Sequence, residues 1–83
     1  MPRLKVSIRQ IKAGRELLAW SQAHLAKASG VSLPTIKRLE SEDGHLGGRA
    51  ETQAKILSAL EKAGVVFTNG DEPGVKLKKK KSR

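Results

Sequence analysis

The chain has no cysteine and no tyrosine, and only one tryptophan and one phenylalanine. Without cysteine there is no disulfide framework and no thiolate metal site, a composition expected of a reducing compartment. With so few rings, the interior of one small 83-residue domain has to be built from Leu, Ile, Val and Ala. No apolar run approaches the roughly 20 residues that a membrane-crossing helix needs. The first residues, Met1-Pro2-Arg3-Leu4-Lys5-Val6, are basic but lack the apolar centre of a secretion signal. The expectation is a soluble, cytoplasmic protein with no membrane partner. Acidic residues are also scarce, eight against seventeen basic, for a net charge of +9. Residues 1–38 carry +7, residues 39–74 carry −4, and residues 75–83 carry +6. Basic charge gathered in the first half is the pattern of a phosphate-facing surface. No nucleophile–base–acid set, metal cluster or phosphate-cradling glycine motif is present, so no enzyme and no cofactor are expected.

What is present is mainly helical. Residues 3–6 alternate basic and apolar, as a short strand or an extended arm over residues 1–7. Ser7 caps a first helix, with Gln10 completing a capping box, and the helix runs from about Ile8 to Ala19. Ile8, Ile11, Leu18 and Leu17 mark its buried side. Gly14 inside it costs about 1 kcal/mol against Ala, a loss best offset by close approach of a neighbouring helix. Trp20 follows Leu17 and Leu18 and is read as core rather than as a base-stacking ring. His24 and His45 have no metal or catalytic partners nearby and are read as solvated.

The stretch Ser21–Glu40 reads as two short helices joined at Ser29-Gly30-Val31. Ser21 caps the first, and Gly30 stands where the backbone requires positive φ. Ala26 is small enough to let a second helix approach. Ser32 caps the second helix, with Pro34 in its first turn, where a missing N–H costs nothing. Ile36 and Leu39 point inward. Leu33, Thr35, Lys37 and Arg38 lie nearer the outer surface. The bare pattern also fits a helical hairpin with no nucleic-acid role.

Trp20-Ser21-Gln22, His24-Leu25-Ala26, Gly30-Val31-Ser32 and Thr35-Ile36-Lys37-Arg38-Leu39-Glu40 together resemble the phage-repressor-like (Xre-type) helix-turn-helix family. That family's wording is Ser-Gln-x-x-Leu-Ala, then Gly-Val-Ser, then Thr-Ile-x-Arg-x-Glu. The resemblance spans roughly residues 8–63. It implies a mainly α fold of four to five helices and a DNA-binding regulator. It also implies that Arg15 of the first helix pairs with Glu40 at the close of the third.

Ser41–Gly48, with three glycines, reads as a flexible loop. A further helix runs from Ala50 or Glu51 through Ala63, with Ile56, Leu57, Leu60 and Ala63 as its stripe and Gly64 as its stop. The family often has Leu where Gln53 stands, which leaves the point at which this helix becomes buried undecided. The domain over residues 8–64 then gives way to a β-hairpin over residues 65–77, marked by Val65-Val66-Phe67-Thr68, Asn69-Gly70, Pro73-Gly74 and Val75-Lys76-Leu77. A hairpin alone in water is marginal. It packs on the helices, pairs with the N-terminal arm, or meets another chain through Val66, Phe67, Val75 and Leu77. Residues 78–83 form a disordered basic tail that either adds nonspecific DNA affinity or only keeps the chain soluble.

These elements predict a dimeric, sequence-specific regulator of double-stranded DNA, a repressor that reads the major groove with helix 32–41. Gln22 contacts phosphate. Ser32 and Thr35 contact phosphate or base edges, and Leu33 and Pro34 make apolar contacts. Lys37 bonds guanine, and Arg38 takes phosphate or a neighbouring base. Lys12 and Arg49 are weaker phosphate candidates. Two other classes fit the residues: an antitoxin or accessory protein-binding module, and a nonspecific nucleic-acid binder driven by charge.

Overall fold

The computed structural model describes residues 6–42, 44, 46–68 and 73–78. The N-terminal arm before Val6, His45, the Asn69-Gly70 turn and the tail from residue 79 onward lie outside the described residues. Ser7 starts the first helix by satisfying its open end. Its hydroxyl accepts from the Gln10 backbone N–H at 3.1 Å, and Gln10 Oε1 accepts from the Ser7 N–H at 2.9 Å. This reciprocal pair is the expected capping box, and α1 (Ile8–Leu17) follows it.

α1 stops two residues earlier than periodicity suggests. Ala19 takes a left-handed φ of +58°. Its N–H donates to Glu16 O at 2.9 Å, and the Trp20 N–H donates to Arg15 O at 3.1 Å. Those two bonds are the Schellman arrangement that closes a helix, with alanine where glycine usually sits.

The three helices that follow begin and end within a residue of expectation. α2 (Gln22–Ser29) is capped by Ser21 and closed by Gly30 at φ +78°. α3 (Leu33–Glu40) is capped by Ser32, with Pro34 in its first turn. α4 (Ala50–Lys62) has no side-chain cap, and Gly64 turns the chain into β1 (Val65–Thr68). β1 pairs antiparallel with β2 (Gly74–Leu77), Val65 opposite Leu77 and Phe67 opposite Val75. Among the described residues the fold is therefore four helices and one hairpin, a mainly α helix-turn-helix bundle.

The core is aliphatic, as the scarcity of rings requires. Ile8, Ile11, Leu25, Ile36, Leu39, Ile56 and Leu60 are its fully buried members, and Val65 and Phe67 join them from β1. Leu17 is a correction: it is 45% exposed, because Leu18, about 100° further round the helix, takes the inward place.

Gly14 is a second correction. A Cβ placed there would lie 3.1 Å from Val65 Cγ1 and 3.7 Å from a Phe67 ring carbon. The element that needs the missing side chain is a strand, not a helix.

The hairpin packs on α1 and α4, the first of the three fates open to it. Gln10 secures it. Its Nε2 donates to Thr68 O at 3.0 Å and to Gly74 O at 2.9 Å, the two residues that face each other across the hairpin. Residues 6–8 pair elsewhere. The Ile8 N–H donates to Gly44 O, and the Leu46 N–H donates to Val6 O, so residues 6–8 run beside the α3–α4 loop. From the other side Gln53 Nε2 donates to the carbonyls of Leu46, Gly47 and Gly48 at 3.0–3.2 Å. That accounts for a glutamine at a position where a leucine would have been ordinary.

Candidate nucleic-acid interface

The bend between α2 and α3 is made by local chemistry. Gly30 supplies the left-handed turn, and its N–H donates to Ala26 O at 2.9 Å. Ser29 Oγ then accepts from the Val31 N–H at 3.2 Å. Leu25 and Val31 are buried on either side of the turn, and Ala26 is half-buried against the core.

α3 leaves this bend with Ile36, Leu39 and Glu40 inward. Its opposite face exposes Pro34, Lys37 and Arg38, with Leu33 and Thr35 half-buried at its flanks. The Ser32 hydroxyl donates to Thr35 Oγ1 at 2.8 Å and accepts from the Thr35 N–H at 3.4 Å.

A buried ion pair sets the angle of this helix. Arg15 Nε and Nη2 donate to the two oxygens of Glu40, both at 2.9 Å. Arg15 Nη1 donates to Trp20 O at 2.9 Å. One guanidinium thus joins α1, the turn after it and the last residue of α3. The fork geometry fits a carboxylate as a lysine could not. Gln22 completes the group, its Nε2 donating to Glu40 Oε1 at 3.0 Å. Among the described residues no buried side-chain nitrogen or oxygen is left without a partner.

Gln22 therefore stands at the start of α2, as expected, with one amide N–H held by Glu40 and the second geometrically independent of it. Ser32, Leu33, Pro34, Thr35, Lys37 and Arg38 gather on one stretch of α3 and its cap. Lys12 and Arg49 are exposed on α1 and ahead of α4. Trp20 is half-buried against the core, in keeping with its reading as a core residue. His24 is exposed, as read, and its ring also stacks on Trp20 with centroids 4.4 Å apart and planes 9° from parallel. No metal-binding cluster occurs among the described residues.

Residues 11–63 match the helix-turn-helix family, well over half of the 83 residues. The chain belongs to the Xre/cro-type helix-turn-helix family. No curated protein matches it. As a member of this family it is a DNA-binding helix-turn-helix regulator, in a class of domains that are generally non-enzymatic. Among the described residues no helix is long and apolar enough to cross a membrane.

The motif residues were visible in the sequence because they are contiguous. Gln10 is legible as the capping-box partner of Ser7 but not as the hairpin's anchor, and Gln53 is not legible as the anchor of the α3–α4 loop. Each is a glutamine at a core-proximal helix position, where an aliphatic residue would be the default. That mismatch was the available signal.

Proposed function

We propose that this chain is a dimeric, sequence-specific repressor that acts on double-stranded DNA in the cytoplasm, at the nucleoid. α3 enters the major groove by its N-terminal end, and α2 crosses the backbone. Lys37 hydrogen-bonds a guanine edge, and Arg38 takes a phosphate or a neighbouring base. Ser32 and Thr35 approach the backbone near the tip. The free amide N–H of Gln22 reaches a phosphate beside the N-terminus of α2, where the helix dipole favours an anion. Lys12 and Arg49 add phosphate contacts at the margins.

The observation that carries this reading is the outward face of α3: Pro34, Lys37 and Arg38 are exposed on a helix whose other side is locked by Arg15 and Glu40. The +7 charge of residues 1–38 supports it. Dimerisation is supported by the hairpin, which among the described residues is a sheet of two strands, with Leu77 43% exposed at the end of β2. A two-fold dimer would set the two recognition helices about 34 Å apart on an inverted repeat.

The test is selection from a random duplex library by the full chain, followed by sequencing and solution mass in the presence of the enriched DNA. Enrichment of an inverted repeat bound by two chains is the expected result. Binding with no preference over bulk competitor DNA would overturn the reading.

A further inference from the structure

The outward face of α3 changes chemistry along its length. Residues four apart stand one above the other on a helix. Leu33 therefore lies in line with Lys37, and Pro34 with Arg38. In both columns an apolar side chain occupies the end nearest the turn, and a cation follows about 6 Å further along the axis. Pro34, Lys37 and Arg38 are exposed and Leu33 is half-buried.

Hydrogen-bonding capacity at the tip is reduced further. Pro34 has no N–H, and the Ser32 hydroxyl proton is spent on Thr35 Oγ1 at 2.8 Å. Positions 33 and 34 thus offer carbon where base edges present donors and acceptors, and the Thr35 hydroxyl stands at the half-buried flank of the helix. Among the four bases only thymine carries a methyl group in the major groove, at C5. That methyl gives Leu33 and Pro34 an apolar surface to cover, whereas N4, N6, O6 or N7 groups set against them would be desolvated without a partner, which is unfavourable.

We infer that Leu33 and Pro34 select thymine through its methyl group, and that hydrogen-bonded readout is confined to Lys37 and Arg38. Each half-site then carries thymine at the tip of α3 and guanine about two base-pair steps away, given a 6 Å offset and a rise of about 3.4 Å. The inference rests on α3 lying in the major groove, as proposed above.

Replacing thymine by uracil removes the methyl and leaves every hydrogen-bonding group in place, which isolates the contact. The probe is the duplex that the full chain enriches from a random library, with each thymine replaced singly by uracil and affinity read by fluorescence anisotropy. At one or two thymines in each half-site uracil lowers affinity about fourfold, the transfer free energy of one buried carbon. The effect shrinks in Leu33→Ala or Pro34→Ala, which shorten or reshape the apolar tip. If uracil is tolerated at every position while a scrambled duplex binds about tenfold more weakly, the methyl readout is wrong and groove recognition stands. If no duplex is enriched at all, both fail.

Discussion

Arg15 grips Glu40 through two hydrogen bonds of 2.9 Å across 25 residues of sequence, with both side chains almost wholly out of water. The consequence is a helix whose outward face is held at a set angle from behind. Removing one partner would strand the other charge in the core. We predict that Arg15→Met lowers stability by about 3–5 kcal/mol, and that Arg15→Met with Glu40→Leu recovers most of it. Urea titration of the three proteins measures this. A single-variant loss below about 1 kcal/mol would mean that the pair behaves as a surface bridge.

Gln10 works at both ends of its amide, capping α1 with its oxygen and holding the hairpin with its nitrogen. Gln10→Leu leaves the Thr68 and Gly74 carbonyls without that donor, at a cost of about 1–3 kcal/mol. Gln10→Glu is expected to cost more at neutral pH, because a carboxylate oxygen would face two carbonyl oxygens. Hydrogen exchange localises the effect: hairpin amides lose protection first, and those of α2 and α3 keep theirs.

Ala19 and Gly30 occupy the same left-handed region with different residues, at φ +58° and +78°. Ala19→Gly should stabilise by about 0.5–1 kcal/mol, the relieved strain less the greater freedom glycine has when unfolded. In a domain of this size that is a rise in Tm of about 4 °C. Gly30→Ala is expected to do the reverse, by about 1 kcal/mol from the backbone alone, since nothing lies within 4 Å of an added Cβ. Calorimetry on both variants decides the matter, and equal signs would contradict it.

Lys37 and Lys12 are both exposed, and they separate specificity from charge. Lys37→Ala is expected to narrow the ratio of enriched-duplex to random-duplex affinity by about 1–3 kcal/mol. Lys12→Ala should weaken both duplexes alike and reduce the salt slope by about 1. Titrations at several salt concentrations distinguish the two outcomes, and the thermal stability of each variant should match the parent.

Much of this molecule could be read from the chain before any coordinates. Ser7, Ser21 and Ser32 were legible as caps because each bonds a backbone N–H only three residues on. Gly30 was legible because few residues tolerate the bend it makes, and Pro34 because its missing donor is harmless in a first turn. The surface of α3 followed from the 3.6-residue repeat of Ile36 and Leu39.

Other residues resisted reading for equally physical reasons. The end of α1 at Leu17 is not legible in the sequence, because alanine gives no sign that it will turn left-handed. Leu17 and Leu18 are chemically identical, and only the neighbour that arrives decides which one is buried.

Interactions closed within a turn of helix were settled by residue order alone, since the partners are covalently near and no other part of the chain needs to be in place. The chain could not say that Gly14 makes room for Val65, that Gln10 reaches Thr68 and Gly74 across some sixty residues, or that residues 6–8 lie beside the α3–α4 loop rather than the hairpin. A glycine or a glutamine offers the same atoms to many possible neighbours. Which neighbour comes depends on how all the apolar faces bury together, and that is a property of the whole fold.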